Sequence, residues 1–300
     1  MSWRPLVSAE HSETIAATIR EIVAAVGATP PVGAYDLADR ALLHAYTAEA
    51  DIAPDPEDRA GQALVAAVTA FAQGPIRPAL FGGAAGIGWR VAHLAAEEDA
   101  ALVCSKIDAG LLRLLGAEST EYDLIGGLAG FGVYTRARGE AGRPLASAVL
   151  DEIARRARPV RGGLAMHTPP EWLPAWRAEA LALARVCAGR SDAKAQIRDT
   201  GLCHGALGAA HQFHRLWHAT GDEVFATAAR HWLDRGLAMR RGDPIAGFPS
   251  CLFEDGNEHW IADPTVLSGA SGVALVLHSM ITDVEPAWDN LLLVDLEPAG

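Results

Sequence analysis

Ile125-Gly126-Gly127-Leu128-Ala129-Gly130-Phe131-Gly132 sets two glycines three positions apart within an apolar stretch. The same G-x-x-G frame recurs in Phe81-Gly82-Gly83-Ala84-Ala85-Gly86-Ile87-Gly88, Cys203-His204-Gly205-Ala206-Leu207-Gly208-Ala209-Ala210 and Leu267-Ser268-Gly269-Ala270-Ser271-Gly272-Val273-Ala274. The leading glycines, Gly83, Gly127, Gly205 and Gly269, are 44, 78 and 64 residues apart. A period of roughly 40–50 residues is the footprint of a two-helix repeat. One further period before Gly83 falls on Asp39, in Leu37-Ala38-Asp39-Arg40-Ala41-Leu42-Leu43, which reads as a first unit that has lost its glycines. About five units follow from this spacing.

Segments between the frames have one-sided helical periodicity. Leu64, Ala67, Val68 and Phe71 fall at i, i+3, i+4 and i+7, and Phe225, Ala228, Ala229 and Trp232 repeat that spacing. Ile15, Ile19, Ile22, Val23 and Val26 form another such face, ended by Gly27 and Pro30-Pro31. The frame helices are instead apolar on most sides and small at two adjacent turns, as an inner layer of closely approaching backbones requires. Inner small-residue helices alternating with outer amphipathic ones predict an all-α chain, an α/α toroid forming a single domain over residues 1–300. No period-2 strand pattern competes, and Leu291-Leu292-Leu293-Val294 is a short apolar run without an assigned element.

Composition narrows the function. Of 300 residues, 25 are Lys or Arg and 37 are Asp or Glu, a net charge of −12 that disfavours a nucleic-acid partner. No apolar run reaches the length of a membrane span. The opening Met1–Val7 stretch lacks the apolar core of a secretory signal, so the expected compartment is cytoplasmic. Cys104, Cys187, Cys203 and Cys251 are widely spaced and make no CxxC pair, which suits reduced thiols, packed or metal-bound.

The third frame departs from its siblings. Where they read Phe81-Gly82, Ile125-Gly126 and Leu267-Ser268, it reads Cys203-His204, at the expected start of an inner helix. A thiol and an imidazole there suit zinc, and the positive helix end is expected to lower the thiol pKa. The plain alternative is a small packed cysteine beside a hydrogen-bonded histidine.

Cys203-His204-Gly205-Ala206-Leu207-Gly208, Tyr122-Asp123-Leu124-Ile125-Gly126-Gly127 and the ending Leu267–Leu275 with Trp288-Asp289-Asn290-Leu291-Leu292-Leu293 resemble the lanthionine synthetase C-like family, the cyclases of class I lantibiotic biosynthesis. Ser2-Trp3-Arg4-Pro5 and Thr168-Pro169-Pro170-Glu171-Trp172-Leu173-Pro174 are similar too, so the resemblance runs along nearly the whole chain. It implies a zinc-holding toroid in which a substrate cysteine thiol adds to dehydroalanine or dehydrobutyrine, closing a (methyl)lanthionine ring. It further implies Zn2+ on Cys203 and His204, an acid/base or positioning role for Asp123, a dehydrated lanthipeptide precursor as partner, and a dehydratase working alongside.

Two of the family's usual seven repeats have no counterpart between Gly127 and Gly205. With them go the third zinc ligand and a histidine that serves as general acid. Cys251, in the long Arg241–Leu267 excursion, is the leading replacement ligand, with a packed loop cysteine as its alternative; Cys187 ranks behind it. Cys104 reads as core, and His167 is a weak substitute for the missing donor. His211, His214 and His218, at i, i+3 and i+7, read as core-edge and surface residues rather than a second metal site. Asp123 alone would serve as a helix cap. Removal of two repeats changes the curvature needed for closure, so a homo-oligomer covering exposed inner helices is expected. The competing function is a degenerate, non-catalytic member that binds peptide or assembles a complex. A carbohydrate-active toroid would need a carboxylate pair across a cleft, and none stands out.

Overall fold

The structure, a computed structural model, describes residues 3–74, 77–115, 122–156, 159–160, 163–164, 173–242, 245–255 and 257–294. His167 lies outside these residues. The described chain is mainly helical: α1 (Ala9–Ala28), α2 (Ala34–Glu49), α3 (Arg59–Ala72), α4 (Ala84–Leu94), α5 (Glu97–Leu114), α6 (Leu128–Ala137), α7 (Arg143–Arg156), α8 (Leu173–Ala188), α9 (Asp192–Ala195), α10 (Ala206–Thr220), α11 (Glu223–Ala238) and α12 (Ala270–Ile281). Two small antiparallel pairs accompany them, β1 (Pro159–Val160) with β2 (Gly163–Leu164) and β3 (Ser250–Glu254) with β4 (Asn257–Ile261).

The glycine frames explain how the inner helices start. Gly83, Gly127, Gly205 and Gly269 are the N-caps of α4, α6, α10 and α12, each in extended backbone. The second glycine of each frame lies against the chain that leads into its own helix. A Cβ on Gly86, Gly130, Gly208 or Gly272 would collide with the carbonyl of Leu80, Leu124, Leu202 or Val266 respectively. The incoming segment therefore folds back over the first helical turn, and only a residue without a side chain admits it. In α2, which lacks the frame, buried Asp36 and Arg40 form an ion pair one turn apart instead.

These helices pack side by side in the order α10, α12, α2, α4, α6. Each carries an amphipathic partner: α11 on α10, α1 on α12, α3 on α2, α5 on α4 and α7 on α6. The periodic faces lie where expected, with Ile15, Ile19, Ile22, Val23 and Val26 of α1 and Phe225, Ala228, Ala229 and Trp232 of α11 all buried. On α3, Leu64 and Ala67 are buried and Val68 and Phe71 pack against the core. The first helix thus serves as the outer partner of the last one. Leu6 N–H donates to the Met280 carbonyl at 2.7 Å and Trp3 Nε1–H to the Ser279 carbonyl at 2.9 Å, joining the segment before α1 to the end of α12.

One expectation changes, and one unassigned run gains an element. The Arg241–Leu267 excursion is not wholly irregular: β3 and β4 form a hairpin, turned at Asp255 with φ +50°, in which Cys251 faces Trp260 across the ladder. Its Cys-Leu-Phe and His-Trp-Ile cores are short and weakly alternating, which hid them from a period-2 search. The Leu291-Leu292-Leu293-Val294 run is no strand either; its first residues end a 3-10 helix, Ala287–Leu292, that buries Trp288 and Leu291.

Candidate metal centre

Asp199-Thr200-Gly201-Leu202-Cys203-His204-Gly205 forms the turn into α10. Ala206 N–H donates to the Asp199 carbonyl and Gly205 N–H to the Gly201 carbonyl, both at 2.9 Å. Cys203 N–H reaches across to the Leu267 carbonyl, also at 2.9 Å, tying this turn to the entry of α12. Gly201 makes that approach feasible, since a Cβ there would crowd the Ser268 carbonyl. Cys203 is exposed, as is His204, whose side chain retains 58% of its accessibility.

Behind this exposed pair lies a buried carboxylate. Asp199, 2% exposed, accepts the Gly201 N–H through Oδ1 at 3.1 Å, and that oxygen lies 3.5 Å from His204 Nδ1. Its Oδ2 accepts the Cys251 N–H at 3.0 Å. Cys251 is itself buried at the base of the β-hairpin, where Ser250 Oγ donates to the Ser268 carbonyl at 2.7 Å. One carboxylate thus touches both the Cys203-His204 turn and the backbone of Cys251.

Electrostatics here run opposite to the helix-end expectation. Desolvation, then the Asp199 charge, push the Cys203 thiol above its ordinary value. Desolvation also raises Cys251, with the Glu258 and Asp199 charges adding to it. Burial, with the charges of neighbouring carboxylates adding to it, keeps both thiols protonated at neutral pH unless a cation takes the proton's place.

The donor chemistry of the adjacent pair fits zinc: a thiol and an imidazole side by side on the surface, with a carboxylate on the imidazole's other nitrogen. The third donor is a different matter. Among the described residues no three His, Cys, Asp or Glu side chains gather at one point suited to a metal ion, so Cys251 approaches the pair through its backbone without its Sγ completing the set. Cys187, on α8, and Cys104, whose Sγ lies 3.5 Å from the Gly88 carbonyl between α5 and α4, belong to the packing.

Beside the pair opens a groove of about 570 Å3, lined by Tyr35, Arg77, Ile125, Asp263, Leu267 and Ser268 among others. Its edge is shared with the Cys203-His204 turn through Leu267, whose carbonyl holds the Cys203 N–H. Asp39 and Arg90, both buried, form an ion pair in its wall, and Asp39 Oδ2 accepts the Val266 N–H at 2.9 Å. Asp123 precedes the groove-lining Ile125 by two residues. Its Oδ1 accepts the N–H groups of Ile125 at 2.6 Å and Gly126 at 2.9 Å, the local turn-forming role a cap residue plays.

The histidine stripe of α10 is structural. His211 Nε2 lies 2.7 Å from Asp289 Oδ2, His214 Nε2 lies 3.0 Å from the Arg4 carbonyl, and His218 stacks on Trp3 at 4.0 Å between ring centroids. Together they clamp the N-terminal strap and the final 3-10 helix. Sequence reading missed Asp199 and the Asp39–Arg90 pair. The available signal for Asp199 was an acidic residue six positions before the frame glycine Gly205, a place Asp263 also holds before Gly269.

Residues 178–293 match the family model described as lanthionine synthetase C-like protein. The match covers 116 of the chain's 300 residues. It contains Cys203, His204, Cys251 and Asp199, whereas Asp123 and the Asp39–Arg90 pair lie before it. No curated protein matches the chain. Among the described residues no helix is long and apolar enough to cross a membrane.

Proposed function

We propose that this chain, similar to lanthionine synthetase C-like proteins, is a peptide cyclase: Cys203 and His204 would hold zinc, and the groove beside them takes a dehydrated precursor peptide. The observation that carries the reading is the Asp199 carboxylate, which links the Cys203-His204 turn to the Cys251 backbone. The five inner helices and their outer partners form a shortened α/α toroid on this reading, a single cytoplasmic domain receiving its substrate from a dehydratase, with association between copies covering any exposed inner helix.

In the reaction a peptide thiol adds across the carbon–carbon double bond of dehydroalanine or dehydrobutyrine. A sulfur–carbon bond forms at Cβ, the π bond breaks, and the thiol's proton is replaced at Cα, so no oxidant or reductant is consumed. Zinc, when bound, favours the thiolate form of the substrate cysteine. The chain's own residues do the rest. The groove wall at Ile125 and Leu267 holds the peptide next to the pair, and Asp123 orients the wall or handles the proton.

The reading is tested by incubating the protein with a peptide carrying one cysteine and one dehydroalanine. Because ring closure leaves the mass unchanged, it is followed as loss of alkylatable thiol. The expected result is thiol loss well above the uncatalysed rate, falling to background in Cys203→Ala and by about 100-fold in Asp123→Asn. Thiol loss no faster than in buffer overturns it. A non-catalytic, peptide-binding subunit is the second reading, favoured by the absence of a gathered three-donor set among the described residues. It is distinguished by peptide retention on the protein without any ring formation.

A further inference from the structure

β3 and β4 form a hairpin of two strands only, and the chain leaving β4 runs into the groove. Glu254 pairs with Asn257, Leu252 with His259 and Ser250 with Ile261. With two residues joining the strands, these pairs exchange the backbone hydrogen bonds of the ladder. The N–H and C=O groups of the alternate residues therefore point outward, those of Cys251 and Phe253 on β3 and those of Glu258 and Trp260 on β4. The Cys251 N–H does so, and Asp199 Oδ2 accepts it at 3.0 Å, occupying the base of the β3 edge. Among the described residues no hydrogen bond reaches the backbone of Glu258 or Trp260. An open edge of this kind is usually blunted by lysine, proline or a bulge. β4 has neither residue, and its ladder is continuous over five pairs. The strand is exposed except at Trp260, which is half-buried under the Arg241 guanidinium at 3.5 Å.

We infer that β4 is a docking strand for the peptide substrate: an extended, basic segment adds to its open edge as a third strand and is led from there into the groove. The inference rests on the peptide-substrate reading above and needs no metal. Two features favour this occupant. Ile261 and Ala262, at the end of β4, line the groove together with Asp263, Pro264 and Thr265, so the edge and the groove are one continuous surface. The tip of the hairpin carries Glu254, Asp255 and Glu258, all exposed, of which Glu258 pairs with Arg198 at 3.2 Å. An acidic rim beside unpaired backbone groups complements a strand with lysine or arginine at alternate positions. Main-chain hydrogen bonds to Glu258 and Trp260 supply affinity with little demand on sequence, and the charges select among peptides.

The experiment is amide hydrogen exchange, residue by residue, on the full chain with a synthetic peptide of alternating lysine and valine that contains one cysteine. The amides of Glu258 and Trp260 are expected to exchange freely without peptide and about 10-fold or more slowly with it. Those of His259 and Ile261 already face β3 and are expected to change less. Glu258→Pro removes an outward donor without breaking a ladder bond, as an edge position allows, and Glu258→Gln removes only the charge. Peptide affinity is expected to fall about 10-fold further in Glu258→Pro than in Glu258→Gln. The unsubstituted protein decides on exchange alone should Glu258→Pro fail to fold. Unchanged exchange at Glu258 and Trp260 with peptide, or equal affinity in the two folded variants, overturns the inference. Slowing that follows protein concentration without peptide also overturns it, since the edge is then a contact between copies. Failure of the cyclase reading has a different signature: the peptide protects both amides, yet a cysteine–dehydroalanine peptide loses thiol no faster than in buffer.

Discussion

Gly208 and Gly132 are both helical glycines, yet they do different work. A Cβ on Gly208 would overlap the Leu202 carbonyl in the turn that presents Cys203, whereas a Cβ on Gly132 meets nothing within 4 Å. Gly208→Ala is expected to cost about 2 kcal/mol or more, because the entry turn must shift off the helix. Gly132→Ala is expected to stabilise by about 0.5–1 kcal/mol, since alanine loses less backbone entropy in a helix. Urea unfolding of the two variants measures both, and equal effects would show that the frame is a matter of composition rather than close approach. At this scale the frame glycines and the Cys203-His204 anomaly were legible in the chain. Asp199 was not, because its role depends on a contact with Cys251, 52 residues on, that no local pattern encodes.

At the scale of elements, the inner helices share one direction. Their N-terminal ends border the Cys203-His204 turn and the groove, and their C-terminal halves carry histidines. His44 of α2, His93 of α4, His214 and His218 of α10, and His278 of α12 are all pushed below the ordinary histidine value by desolvation, His278 down to about 4. A folded-state value below the unfolded one means that the unfolded chain binds protons the folded chain refuses. This contribution is fully present above about pH 6.5 and is lost as pH falls through the window down to the folded value, near 4 for His278. For His278 the loss is about 3 kcal/mol. Unfolding free energy is therefore expected to fall between pH 7.5 and pH 5, with a shallower slope in His278→Leu. Stability that is flat across that range would contradict the burial of these rings. Helix faces and outer-layer partners could be read from periodicity. The β3–β4 hairpin could not, since its strands alternate weakly and gain their register from contacts at the metal turn and the α12 entry.

Across the whole molecule, the order α10, α12, α2, α4, α6 places the chain's end next to its beginning. That wrap brings Asp39 of α2 to the backbone of Val266, one residue from the carbonyl that holds Cys203. The recurring frame could be read from the chain, and its leading glycines Gly83, Gly127, Gly205 and Gly269 each cap a helix. What the spacing could not supply is a third donor, and among the described residues no three donor side chains gather at this turn. The central proposal is that the Cys203-His204 turn binds zinc. Elemental analysis of the untagged protein, beside Cys203→Ala, tests it most directly. The account predicts close to one zinc per chain, lost in the variant. A folded wild-type protein with no zinc in either sample would contradict it.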